Sequence, residues 1–352
     1  MSNWMQKYFN AQSEVLSKVI RQGSSDAREY ALQHSQFGRI CLIGSGSSFH
    51  CARTQMENMK RLVGCEILAM LPGRVDAFQH RPDDLILLIT QEGKSVNVMR
   101  AAERLRERGA RFSVLTAVEN SPIACLAESC LYMRCGEEKT GPKTKGVLAT
   151  LIMLELLGLE LGLKRKKISQ SHYDKEMLSI KETVRFLPEN IALCRTWVEQ
   201  QKDVLTQSPF ITVLSVAPLC FLGCEGALKL VETVYIPAVS YEFEEFIHGP
   251  HCLLGTDMTI IALYHGLPDE NRLRTLCAFA REKGTRVLEI SDMDEANGFD
   301  GLKLRNGGWE LCPMHFLLPF QAASAYLAEW MGHDLDRPKF PGFATQLQSK
   351  LY

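Results

Sequence analysis

The sequence predicts an α/β fold of two doubly wound parallel sheets in tandem, and three observations predict it. Short apolar runs alternate with helical patterns over residues 37–165. The alternation stops in a polar, helical stretch and restarts near residue 205. A segment of each half reads as strand, polar loop, helix, glycine, strand. Alternating units of this kind build a parallel sheet covered by helices on both faces.

The elements follow in order. Residues 1–36 read as an N-terminal helical segment, because Val15, Val19 and Ile20 recur at helical spacing before the polar run Gln33–Gln36. The first domain is expected over 37–165. Arg39–Gly44 (RICLIG) is a short apolar run suited to a buried parallel strand. Ser47–Leu62 is a helix; Glu66–Leu71, Leu85–Thr90 and Phe112–Ala117 are strands, with a helix over Ser95–Arg108. Cys130–Cys135 is a further strand, and a helix runs from about Thr144 to Gly162. Residues 166–204 form a helical connector broken at Leu187–Pro188, since the residue before proline avoids the helical conformation. The second domain is expected over 205–335. It has strands at Ile211–Val216, Thr259–Leu263 and Arg286–Ser291, and helices at Leu222–Thr233, Asn271–Gly284 and Met314–Gly332. Residues 336–352 are a tail.

The two halves echo each other. PDDLILLITQEGKSVNVMRAAERLRERGARFSVLTA from Pro82 matches the grammar of GTDMTIIALYHGLPDENRLRTLCAFAREKGTRVLEIS from Gly255, as an internal duplication would. Their loops differ. Thr90, Gln91, Gly93 and Ser95 follow the first strand, but Tyr264, His265, Gly266 and Leu267 end or follow the second. Only the first offers short hydroxyls at a helix start.

Composition excludes some classes. Of 352 residues 46% are hydrophobic and 23% charged, which is ordinary for a globular chain. Net charge is −1, so no global field recruits nucleic acid or an anionic membrane. The basic run Lys164–Lys167 falls at a predicted helix end and reads as a solvated terminus. Met1–Asn10 lacks the apolar core of a signal peptide, and apolar runs are interrupted short of a membrane span. Twelve cysteines show irregular spacing and no CxxC pair, so a reducing, cytoplasmic setting is expected. Cys220 and Cys224 stand one turn apart without a matching pair of ligands, and no metal site is expected.

Four stretches carry candidate chemistry. Gly44-Ser45-Gly46-Ser47-Ser48 lies between a strand and a helix, where backbone N–H groups and hydroxyls suit a phosphate, although a plain helix N-cap reads equally well. It matches neither GxGxxG nor a Walker A loop. Thr90–Ser95 (TQEGKS) is a second such loop, and two of them beyond neighbouring strands would converge on one crevice. Glu225, Lys229 and Glu232 share one face of an otherwise apolar helix. His248, followed by Gly249-Pro250, is expected on a loop, where an imidazole can pass protons near neutral pH.

These stretches carry a resemblance. GSGSSFHCA at Gly44, TQEGKS at Thr90, EGALKLVE at Glu225 and EEFIHGP at Glu244 make the chain resemble the double sugar-isomerase (SIS) domain proteins over about residues 37–340. It is similar to the isomerase half of glucosamine-6-phosphate synthase, and more so to the fructoselysine and glucoselysine 6-phosphate deglycases. The resemblance implies two flavodoxin-like domains in tandem and a phosphosugar substrate held by Ser47, Ser48, Thr90, Gln91 and Ser95, with Glu225 beside it. It implies Glu232 as the acid/base glutamate and His248 as the catalytic histidine, 16 residues on, reaching the site of a neighbouring subunit in a homodimer or larger homo-oligomer. It implies no cofactor, no metal, no nucleic acid and no membrane partner.

Departures steer the substrate. Glu92 stands where the synthase has serine. No glutaminase segment with its catalytic cysteine precedes the first domain. Phe343 occupies about the position of the synthase's ring-opening lysine, and Lys350 lies too far along to equate with it. Asp269-Glu270-Asn271-Arg272 resembles the deglycases. The resemblance therefore implies a deglycase that splits a 6-phosphorylated fructosamine or glucosamine adduct of an amino acid into a hexose 6-phosphate and the free amino acid. An aldose–ketose or aminating isomerase and a non-enzymatic phosphosugar-binding regulator are the alternatives. The charged run Glu137–Lys145 (EEKTGPKTK) reads as a solvated loop or as a contact for the substrate's zwitterionic end.

Overall fold

A computed structural model describes residues 3–293, 299–309 and 312–350. In chain order it begins with α1 (Trp4–Asn10), α2 (Gln12–Gln33), β1 (Arg39–Gly44), α3 (Ser47–Val63), β2 (Glu66–Met70), β3 (Asp84–Ile89) and α4 (Val96–Glu107). Next come β4 (Ser113–Thr116), β5 (Ser129–Tyr132), α5 (Lys145–Lys164), α6 (Gln170–Arg185), α7 (Leu187–Gln200), α8 (Lys202–Thr206), β6 (Phe210–Ser215) and α9 (Cys220–Thr233). The chain continues with β7 (Ala238–Glu242), α10 (Phe243–Ile247), β8 (Met258–Tyr264), α11 (Glu270–Glu282), β9 (Arg286–Ser291), β10 (Leu302–Lys303), α12 (Leu318–Trp330) and α13 (Phe343–Gln346).

Two compact units result. The first-sheet unit takes residues 14–181 and 337–352; the second-sheet unit takes residues 1–13 and 182–336. Each contains one all-parallel five-stranded sheet. The orders are β2-β1-β3-β4-β5 and, read in the same sense, β7-β6-β8-β9-β10. Numbered within its own half, each sheet runs 2-1-3-4-5, the flavodoxin-like order. The shared order is what the internal echo leads one to expect.

In the first-sheet unit, all six residues of β1 are buried, as a central parallel strand requires. Cys41 and Ile43 join Ile86, Leu88 and Val98 in one apolar cluster. At the strands' amino ends Arg39 grips Asp84 with two 2.7 Å hydrogen bonds. Helix α5 is long and apolar enough to cross a membrane by length and composition, which corrects the reading that apolar runs stop short of that. Of its apolar stretch 94% is buried, as in a core helix.

The compact units divide the chain differently from the expected boundaries. Helix α1 belongs with α12, where Asn3 and Gln6 donate to the Ala325 carbonyl. Nearly all of α2 belongs to the first-sheet unit, where Gly23 meets Met153 and the Tyr30 hydroxyl donates to Ser113. The stretch 1–36 thus splits because each helix buries its apolar face in a different core. The stretch 166–204 splits at residue 181 for the same reason. Strands β7 and β10 were not expected; they are the short edges of the second sheet, and β7 is only half-buried. The helix expected at Met314–Gly332 is a 3₁₀ turn over Met314–Leu317 followed by α12.

Candidate active site

In the first-sheet unit the two hydroxyl-bearing loops leave the carboxyl ends of β1 and β3, which are adjacent strands. This is the switch point of the sheet, where open α/β folds bind ligands. Gly46 caps α3 with φ +54°, a left-handed conformation that costs glycine little. Ser47 and Ser48 therefore open the helix rather than cap it. Ser95 is the N-cap of α4 but spends its hydroxyl on Asn97 at 2.5 Å, and Asn97 donates to Ser45 at 2.7 Å. The two loops are thereby tied together. A wider opening of about 550 Å³ lies at the opposite, amino end of these strands, lined by Arg81, Asp84 and Arg111 among others. Its position is the wrong end of a parallel sheet for a substrate.

The remaining loop residues are more engaged than hydroxyl counting implied. Thr90 is buried, and its N–H continues the ladder to the Leu115 carbonyl. Gln91 donates to the Glu138 carboxylate at 2.6 Å. Glu138 also accepts from the amides of Thr144, Lys145 and Gly146, so it satisfies the start of α5. The segment Glu137–Lys145 is accordingly only partly solvated: Glu137, Lys139 and Gly141 are exposed, while Glu138, Thr140, Thr144 and Lys145 are buried. Glu92 is held by Lys143 at 2.5 Å and Lys350 at 3.1 Å. Burial works against its charge, but the two ammonium groups outweigh that and keep its carboxyl below the ordinary range.

The second-sheet unit closes its matching loop internally. After β8, the amides of His265 and Gly266 donate to Glu270, at 2.6 and 2.9 Å. A carboxylate of the chain thus occupies N–H groups that an anion would use. Beside it, one oxygen of buried Asp292 meets His265 Nδ1 and His315 Nε2, each at 2.7 Å. Burial pushes the Asp292 carboxyl upward, yet these two contacts prevail and hold it below its usual value.

The candidate acid/base residues lie in this second unit. Helix α9 approaches α12 so closely that a Cβ on Gly226 would sit 2.5 Å from the Phe320 ring. Packing buries Lys229, with its side chain 1% exposed, between Glu225 at 3.3 Å and Glu232 at 2.6 Å. Burial opposes the ammonium, but the two carboxylates overcome it and raise its proton affinity above that of an ordinary lysine. The two acids differ: Glu225 is 3% exposed and Glu232 36%. One is a buried counter-ion; the other shows its carboxylate at the surface of its unit. His248 ends α10 and is exposed. Its turn is rigid, because Phe243 and Phe246 are buried and Glu242 caps the amide of Glu244 at 2.7 Å. Arg272 of α11 pairs with Glu244 and lies 4.9 Å over the Phe243 ring. Among the described residues no cluster of His, Cys, Asp and Glu has the geometry of a metal site.

Sequence reasoning missed Asn97, Asp292 and His315 as parts of these networks, named Glu138 and Lys143 only within the run Glu137–Lys145, and left Lys350 unplaced. Some of these contacts span long stretches of sequence, with Lys350 and Glu92 258 positions apart.

Comparison with known proteins bears on the fold. The SIS domain model matches residues 34–159. That stretch of the first-sheet unit is a SIS domain. It is 24% identical over 354 residues to glutamine–fructose-6-phosphate aminotransferase (isomerizing) of Thermococcus kodakarensis, covering 96% of this chain and 57% of that one. The chain spans about half the length of the curated relatives it matches. A structure described as a candidate phosphosugar isomerase from Clostridium difficile 630 superposes with TM-score 0.90 at 26% identity, covering 100% of this chain and 99% of that one. The C-terminal domain of glucosamine-fructose-6-phosphate aminotransferase from Francisella tularensis gives 0.88 at 18% identity over 96% of this chain and 99% of that one. The two parallel sheets are therefore the fold of tandem SIS domains.

Proposed function

We propose that the protein is a phosphosugar deglycase. It cleaves a 6-phosphorylated sugar–amino-acid adduct to a hexose 6-phosphate and a free amino acid. The observation that carries an acid/base role is the unequal pair on α9. Lys229 is buried between two carboxylates, one sealed in and one, Glu232, open to a reactant. The tied loops after β1 and β3 supply the anion-binding side of the reading.

In this reading Ser47, Ser48 and Ser95 hold the phosphate, and Gln91 and Thr90 shape their loop. For a fructosamine, Glu232 takes a proton from C1, next to the C2 carbonyl, giving an enaminol. A proton returned to C2 leaves an imine at C1. Water adds there, and the amine departs with the proton that His248 delivers. Each acid/base step is worth about 10²–10⁴ in rate. Glu225 keeps Lys229 charged, and Lys229 fixes Glu232. His248 is exposed on its own unit, which suits action on the site of a second subunit in a homodimer.

The test is a panel of 6-phosphorylated Amadori and Heyns adducts assayed for release of the free amino acid and of glucose 6-phosphate or fructose 6-phosphate, with fructose 6-phosphate alone offered separately to test isomerisation. Adduct cleavage without hexose-phosphate isomerisation supports the deglycase. Isomerisation alone would make the protein an isomerase, and binding without turnover would make it a regulator.

A further inference from the structure

Glu92 sets a problem for a phosphate loop. A bare carboxylate on the loop after β3 would repel the dianion, with an attraction or repulsion that grows as water is excluded. The chain answers it with two cations. Lys143 is 14% exposed and also donates to the carbonyls of Glu138 and Thr140, so its place is fixed. Lys350 is different. Its side chain is 48% exposed, and its partner among the described residues is Glu92.

Lys350 arrives by backbone pairing. It forms an antiparallel bridge with Ser95, and the Val96 amide at the start of α4 donates to the Ser349 carbonyl at 3.1 Å. The rest of the tail is poorly covered: Phe340, Phe343 and Leu347 are 66%, 58% and 63% exposed. An exposed ion pair adds little to stability, so stability gives little reason to bring this lysine to this loop. Lys143 and Lys350 thus put two ammonium groups on the one carboxylate of Glu92, beside the serine that ties the two loops together.

We propose that Lys350 is a phosphate-binding residue of this site, delivered by the tail and held on the loop by Glu92 to meet the phosphate of the bound sugar. The assignment rests on the reading that the β1–β3 crevice takes a hexose 6-phosphate. It adds a ligand from the tail and gives Glu92 the role of anchoring that ligand.

The experiment is calorimetric titration of the intact protein with glucose 6-phosphate, glucose and inorganic phosphate, for wild type, Lys350→Met, Lys350→Arg, Glu92→Gln and the double variant Glu92→Gln/Lys350→Met. Lys350→Met should weaken glucose 6-phosphate binding by about tenfold or more, the loss expected for one charge-assisted hydrogen bond. Its melting temperature should stay close to wild type. Lys350→Arg should retain most of the affinity, and raised salt should shrink the gap between wild type and Lys350→Met. Glu92→Gln should bind at least as tightly as Lys350→Met, and the methionine substitution should cost less in its background, where no Glu92 carboxylate remains to repel the phosphate. Unchanged binding in Lys350→Met overturns the assignment, and tighter binding would make the tail an inhibitory cover. Inorganic phosphate separates the two claims. If wild type binds it but not glucose 6-phosphate, the sugar reading falls, while weaker phosphate binding in Lys350→Met still upholds the lysine. Binding of neither overturns both.

Discussion

At the scale of single residues, the central contrast is between Glu225 and Glu232 on either side of Lys229. Glu232→Gln keeps shape and hydrogen-bonding reach but cannot take a proton. It should lower kcat at least about a hundredfold, the low end for a general base, and leave KM and the melting temperature nearly unchanged, as steady-state kinetics and calorimetry would show. Lys229→Met acts on folding, because it removes the ammonium that lies 3.3 Å from the buried carboxylate of Glu225. Denaturant titration should show a loss of about 3–5 kcal/mol, the usual cost of breaking a buried pair. Adding Glu225→Gln should recover part of it. Asp292 carries a pH prediction. Its carboxyl is held below its ordinary value of 3.8. Its contribution is therefore complete above about that pH and is lost as pH falls through its lower folded value. The stability gap between wild type and Asp292→Asn should be constant at neutral pH and shrink in acid below pH 3.8. The candidate residues were legible because Gly44–Ser48, Thr90–Ser95, Glu225–Glu232 and Glu244–Pro250 are continuous stretches. Their ion partners were not, since a contact such as Glu92 with Lys350 leaves no periodic trace in sequence.

At the scale of elements, burial decided legibility. Strand β1 falls on the residues its apolar run marked, because all six are buried, and β9 falls on Arg286–Ser291 as expected although only its last two residues are buried. The edge strands β7 and β10 carry half-buried or very short patterns and escaped notice. Helix α9 shows how packing overrides propensity. Alanine is a better helix former than glycine by about 1 kcal/mol. At Gly226, however, a Cβ would press on the Phe320 ring, with three ring atoms within 2.8 Å. Overpacking of this kind costs about 1–3 kcal/mol, so Gly226→Ala should destabilise the protein in urea despite its helical gain. It should also lower kcat, since shifting α9 moves Glu232.

At the scale of the whole molecule, one strand order used twice has come to serve two ends. The first sheet leaves its β1 and β3 loops tied to each other by Ser45, Asn97 and Ser95. The second fills the equivalent amides with Glu270 and stacks His265, Asp292 and His315 behind them. This leaves the loop amides after β1 and β3 as the ones the proposed phosphate site would use, while those after β8 are taken by Glu270. If His248 serves a neighbouring subunit, inactive Glu232→Gln and inactive His248→Ala chains should regain partial activity after subunit exchange, and a tag on each chain would verify the exchange. The most direct test of the account is glucose 6-phosphate release from 6-phosphofructosyl-lysine by wild type and Glu232→Gln protein side by side, both shown to be folded. The account predicts release by wild type and at least a hundredfold slower release by the variant. Equal release by both, or none by wild type across the adduct panel, would contradict it.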